Sequence, residues 1–200
     1  MPSVFRVGLV LLALLCCGWG KSWQEIEKGH GRIHSIRAEF TQEKHLKILT
    51  RPIISKGLLL FRSPDSLRWE YKSPVRTLLL NHQGVSKRFV ESADGRLIEE
   101  TGMNLDAMQM VMQEIGQWLD GRFTENPDFT AELVPGRKIT LTPKNAGLAR
   151  LIGHIELNFS ERPGVMESVV IYEDHDSYTK MIFSHEELNQ ELPDALFMEQ

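Results

Sequence analysis

Gly57-Leu58-Leu59-Leu60-Phe61-Arg62-Ser63-Pro64-Asp65-Ser66-Leu67-Arg68-Trp69-Glu70-Tyr71-Lys72-Ser73-Pro74 holds the pattern that decides the fold. It reads as two extended arms joined at Ser63-Pro64-Asp65-Ser66, because proline fixes φ for a turn and biases the residue before it toward β. In the second arm Leu67, Trp69 and Tyr71 fall on one face and Ser66, Arg68 and Glu70 on the other, the alternation of a half-buried strand. The first arm differs: Leu58, Leu59, Leu60 and Phe61 place apolar groups on both faces. The expectation is a sheet with apolar cover on each side.

Working outward, strand-like segments run from Ile36 to about Arg88, punctuated at Arg51-Pro52, Ser63-Pro64, Ser73-Pro74 and Gln83-Gly84, with a further turn at Ala93-Asp94-Gly95. This short spacing implies antiparallel neighbours. A capping box at Ser22-Trp23-Gln24-Glu25 opens a short first helix, weakened by Gly29 and Gly31. A second, clearer helix is capped by Asn104, repeats Leu105, Met108, Met112, Ile115 and Leu119 at helical spacing, and ends at Gly121. Strands return at Phe129 to Val134, Lys138 to Thr142, Leu151 to Phe159, Val165 to Glu173 and Ser177 to Phe183. No repeat or linker divides the chain, so residues 21–200 read as one domain.

Residues 1–20 set the compartment. One basic residue, Arg6, precedes an apolar run from Val7 to Cys17, and Gly18-Trp19-Gly20 supplies small residues for signal-peptidase cleavage. The run is shorter than the ~20 residues a spanning helix needs, and bulky Leu14 and Leu15 precede Cys16 where a lipid-attachment motif wants small side chains. Both cysteines lie here, so cleavage leaves a chain with no disulfide, thiol nucleophile or thiolate metal site. It also removes one of 23 basic residues and none of 27 acidic ones, leaving a net charge of −5. That balance argues against a nucleic-acid partner.

Chemistry is sparse. His30 and His34 have a metal-ligand spacing without a nearby third ligand, and Asp174-His175-Asp176 falls where a turn collects polar residues. His154 and Glu156 share a strand face, but the Pro-Cys-x-x-Cys partner of deaminase chemistry is missing. Nucleophile elbow, phosphate-cradling glycine loop and His-Glu-x-x-His are all missing too. The reading is no catalytic residues, no metal and no cofactor. A hydrolase using His82, His154 or His175 is the enzymatic rival. The apolar surplus reads either as an ordinary core or as a ligand cavity beneath a methionine-rich lid.

Ile36-Arg37-Ala38-Glu39-Phe40-Thr41-Gln42, Gly57-Leu58-Leu59-Leu60-Phe61, Leu67-Arg68-Trp69-Glu70-Tyr71, Leu78-Leu79-Leu80, Ile139-Thr140-Leu141-Thr142-Pro143 and Leu192-Pro193-Asp194-Ala195-Leu196-Phe197 follow one another across the chain. In this order they resemble the LolA family, periplasmic carriers that ferry lipoproteins from inner to outer membrane. The resemblance implies an α+β fold: a curved antiparallel sheet forming an incomplete β-barrel, lidded by helices, around a cavity for acyl chains. It implies a cavity lined by Leu59, Phe61, Leu67, Trp69 and Tyr71 and a lid carrying Leu105, Met108, Met112, Ile115 and Leu119. It also implies a monomer in the periplasm of a Gram-negative bacterium, meeting acylated lipoprotein or lipid cargo, an inner-membrane release complex and an outer-membrane receptor.

The pattern departs from well-studied carriers at the lid latch. They carry arginine immediately before the turn proline, where this chain has Ser63; Arg62 stands one residue early and so on the opposite face. Val85-Ser86-Lys87-Arg88-Phe89-Val90 lacks their aromatic pattern. The region from Leu141 to Phe183 looks more like LolA-related proteins that accompany acyltransferases and lipid exporters, whose cargo is a glycolipid or polyene lipid. A lipid-sensing regulatory domain is a further alternative.

Overall fold

The computed structural model describes residues 33–100, 118, 123, 126–134, 137–162 and 164–199. The two arms expected in Gly57–Pro74 form a hairpin. β2 (Ile53–Arg62) and β3 (Ser66–Ser73) pair antiparallel with Leu59 opposite Trp69 and Phe61 opposite Leu67. β1 (Ser35–His45) lies on the other side of β2. β4 (Thr77–His82), β5 (Val85–Glu91) and β6 (Leu97–Glu99) extend the meander beyond β3. Gln83 and Gly84 close the β4–β5 turn at φ of 51° and 76°, the left-handed pair that a two-residue hairpin loop demands.

A second meander comprises β7 (Phe129–Val134), β8 (Lys138–Pro143), β9 (His154–Phe159), β10 (Met166–Tyr172) and β11 (Tyr178–Leu188). β11 returns to pair with β1, giving one antiparallel sheet in the order β6-β5-β4-β3-β2-β1-β11-β10-β9-β8-β7. The sheet is large and unclosed: β6 and β7 end it without pairing to each other. The described residues contain little helix: a single turn, α1 (Ala146–Ala149), and a C-terminal 3-10 turn, Asp194–Phe197. The first helix expected from Ser22 lies outside the described residues.

Both faces of the β2–β3 hairpin are covered, as the apolar first arm requires. Leu59, Phe61, Leu67 and Trp69 enter a large inner cluster with Ile36, Ala38 and Phe40 of β1, Val169 and Ile171 of β10, and Met181 and Phe183 of β11. Trp118, in helical conformation, and Phe123 bring cover from the connection between β6 and β7; both are fully buried and meet Phe129 and Phe159 edge-on. On the outer face Leu60 packs with Leu192 and Phe197.

The outer cover corrects the half-buried reading of β3. Ser66, Arg68 and Glu70, expected to face water, are 3%, 8% and 6% exposed. Arg68 grips Glu70 through Nε and Nη2 at 3.0 and 2.9 Å, and donates to the Leu196 and Met198 carbonyls. Arg76 donates to the other Glu70 oxygen at 2.9 Å. Burial pushes the Glu70 carboxyl up, but hydrogen bonds and charge from Arg68 and Arg76 outweigh it and hold the group below the usual range. A charged strand face is thus buried because it ties down the C-terminal segment.

Candidate functional site

The inner face is built by alternation. From β1 to β3 its inward positions are Ile36, Ala38, Phe40, then Leu59, Phe61, then Leu67, Trp69, Tyr71. Antiparallel pairing across β1 adds the inward side chains of β11 and β10. Phe40 holds the centre, its ring 4.8 Å from Trp69 and 5.1 Å from Tyr71, the latter edge-on. Toward the β1–β2 loop the face becomes polar, where the Tyr71 hydroxyl donates to Gln42 Oε1 at 2.6 Å.

Toward the opposite end a narrow apolar crevice enters the cluster between Ile36, Ala38, Leu59, Val165, Met166, Val169, Phe183 and Leu188, with Glu186 at its edge. It leaves about 20 Å³ of room, roughly the space of one water. Arg162 pairs with Glu186 at 2.5 Å, turning the one charged neighbour outward. Of the expected cavity residues, Leu59 lines this crevice; Phe61, Leu67 and Trp69 lie in the same cluster, and Tyr71 is half-buried at the polar end. The β10 and β11 contributors went unnoticed in the sequence, where only alternation marks them. The indole N–H groups of Trp69 and Trp118 are buried without an acceptor.

The expected lid residues Leu105, Met108, Met112, Ile115 and Leu119 lie outside the described residues. Arg62 is on the outer face, where it donates to the Leu192 carbonyl at 2.6 Å, pairs with Asp194 at 2.5 Å and lies 5.0 Å from the Phe197 ring centre. Its hydrogen bond holds the Asp194 carboxyl below the usual range. Arg62 therefore clasps the C-terminal segment. Ser63 donates its backbone N–H to the His34 carbonyl at 2.9 Å.

Two polar constellations resemble chemistry and serve structure. Ser66 Oγ and His82 Nδ1 are 2.8 Å apart near Asp194, yet Ser66 is 3% exposed and Phe197 stacks over the imidazole with ring centres 5.8 Å apart. Asp174 Oδ1 accepts the Asp176 and Ser177 N–H groups at 2.7 Å each, the self-closing turn such residues favour. Among the described residues no three His, Cys, Asp or Glu side chains gather to hold a metal.

No known family profile matches the chain, and no curated protein matches it in sequence. Solved structures do match. A DUF1329 family protein from Desulfovibrio piger has a TM-score of 0.49 and 12% identity, over 87% of this chain and 97% of that one. LolA superfamily proteins are among the neighbours. One from Nitrosomonas europaea has a TM-score of 0.45 and 9% identity, over 88% of this chain and 96% of its own. LprF from Mycobacterium bovis has a TM-score of 0.42 and 14% identity, covering 86% of this chain and 92% of its own.

Proposed function

We propose that this chain is a LolA-like carrier that binds acyl chains of a lipoprotein or lipid against the inner face of its sheet, without catalysis. The observation that carries this reading is the crevice, apolar on every side but one and continuous with a cluster that runs across the sheet from β3 to β7. Three of the sequence motifs that resemble the carriers, Ile36–Gln42, Gly57–Phe61 and Leu67–Tyr71, lie on the strands that build that face. Burying an acyl chain contributes ~0.8 kcal/mol per CH₂, so one long chain gains on the order of 10 kcal/mol before ordering costs. With about 20 Å³ of room, the described form is the closed one, and cargo entry has to spread the walls. Part of the burial gain is offset by that opening, which makes release possible as a shift between closed and open populations.

In this reading residues 1–20 are a cleaved leader that sends residues 21–200 to the periplasm, and the Leu105–Leu119 segment covers the inner face as a lid. Cargo comes from an inner-membrane complex and passes to an outer-membrane receptor. A glycolipid or polyene lipid is the alternative cargo, favoured by the departures at Ser63 and Val85–Val90. Titration with a fluorescent fatty acid tests the site. Ala38→Phe, which overfills the crevice at a packing cost of about 3 kcal/mol or more, should weaken binding at least about tenfold while the protein still melts cooperatively. Unchanged affinity in a folded Ala38→Phe protein would remove the crevice as the site.

A further inference from the structure

Four large apolar side chains crowd one exposed point of the molecule, the end of the β1–β2 hairpin. Ile48 is 87% exposed, Leu49 43%, Ile53 45% and Ile54 42%. The 13 residues from Lys44 to Lys56 contain four cations and no acid, in a chain whose net charge is −4. Lys47 pairs with Asp176 at 2.8 Å and Lys44 with Glu173 at 3.6 Å, while Glu43 faces His45 at 3.3 Å. Arg51 and Lys56 have no ion pair among the described residues. An open cleft of about 380 Å³ lies beside the tip, lined by His45, Lys47, Thr50, Arg51, Asp176 and Tyr178.

From this arrangement we infer that the hairpin tip docks on an anionic lipid bilayer surface, inserting Ile48, Leu49, Ile53 and Ile54 while Arg51 and Lys56 meet the headgroups. Pairing chooses a bilayer over a flat protein partner. Ile53 lies opposite Lys44 and Ile54 opposite Glu43, so the two isoleucines point to opposite faces of the hairpin. Apolar side chains thus point to both faces of the tip, which suits a medium that surrounds it; a rigid partner would meet one face. Apolar insertion supplies most of the attraction and lysine or arginine near anionic headgroups adds to it. The tip lies at the far end of β1 from the crevice, whose β1 residues are Ile36 and Ala38. Docking by the tip therefore leaves the crevice uncovered. The purpose of such docking rests on the carrier reading, but the contact itself does not.

Co-sedimentation of the purified protein with vesicles of phosphatidylcholine, alone or mixed with phosphatidylglycerol, tests this. Binding should be stronger to the mixed vesicles and fall with added salt. Ile48→Asp with Ile54→Asp should cut the vesicle-bound partition by at least about tenfold per side chain, with melting temperature and fatty-acid binding unchanged. Arg51→Gln with Lys56→Gln should remove the preference for phosphatidylglycerol. Failure of the unaltered protein to bind either vesicle, or full binding by the double aspartate protein, overturns the inference. So does concentration-dependent self-association without vesicles that the double aspartate change abolishes, since the tip then seats a second copy. Vesicle binding without fatty-acid binding would sink the carrier reading and leave this one standing; the reverse result would do the opposite.

Discussion

Gly57→Ala isolates how tightly the inner face is built. Gly57 sits between Phe40 on β1 and Tyr71 on β3, beside the register shift at Lys56. A Cβ there would lie 2.1 Å from the Glu70 carbonyl oxygen and 2.4 and 2.6 Å from two Phe40 ring carbons. Neither obstacle can yield cheaply: the carbonyl belongs to β3 itself, and the ring is wedged between Trp69 and Tyr71. Overpacking of this kind costs about 1–3 kcal/mol or more, against a gain of about 0.4–1 kcal/mol from the stiffer unfolded chain. Two immovable neighbours put the cost at the upper end, for a net loss near ~2 kcal/mol. Urea unfolding is the assay, with Gly84→Ala as control. Nothing lies within 4 Å of a Cβ at Gly84, whose φ is 76°, so its loss of about 1 kcal/mol is conformational alone. A Gly57→Ala midpoint equal to the parent's, at equal m-value, would refute the packing argument.

Three further outcomes follow from the outer face. Glu70→Gln should cost about 3 kcal/mol at neutral pH, because Arg68 is left buried without its counter-charge. The folded Glu70 carboxyl lies below its ordinary value of 4.5, so its contribution is present above that pH and is lost as pH falls through the depressed value. An acid melting series should therefore show a shallower decline in Glu70→Gln than in the parent. Arg62→Ala should cost about 1–2 kcal/mol through the lost Leu192 contact and speed hydrogen exchange over Leu192–Phe197, which amide mass spectrometry would read. Ser66→Ala should leave any trace ester hydrolysis unchanged in a chromogenic ester assay, because Ser66 is buried.

The hairpin was legible in the sequence because each of its signals is local: a turn proline, period-two alternation and flanking leucines. The same holds for β7 and β8, whose alternation is bounded by turns. β11 was read only to Phe183, whereas it runs to Leu188 by following β1 past the shift between Arg37 and Glu39. His185 there takes a positive φ of 54°, and no local pattern marks such an irregularity. The stretch from Leu151 splits into a loop and β9, since Asn145 caps a single helical turn through the Leu148 N–H. Burial of Arg68 and Glu70 was hidden because their cover arrives from residues 192–198, more than a hundred positions away. The crevice was only partly visible for the same reason. Leu59 belongs to the decisive hairpin, but Val169 and Phe183 reach it through the long-range β1–β11 pairing.

The claim that this is an acyl-chain carrier is tested most directly by what the protein holds when taken from cells. Protein recovered without detergent from the periplasm should yield, on organic extraction and mass spectrometry, a lipid with at least one long acyl or polyprenyl chain. Its amount should approach one per protein and fall sharply in Ala38→Phe. Protein free of lipid, which also fails to bind an added fluorescent fatty acid, would contradict the account.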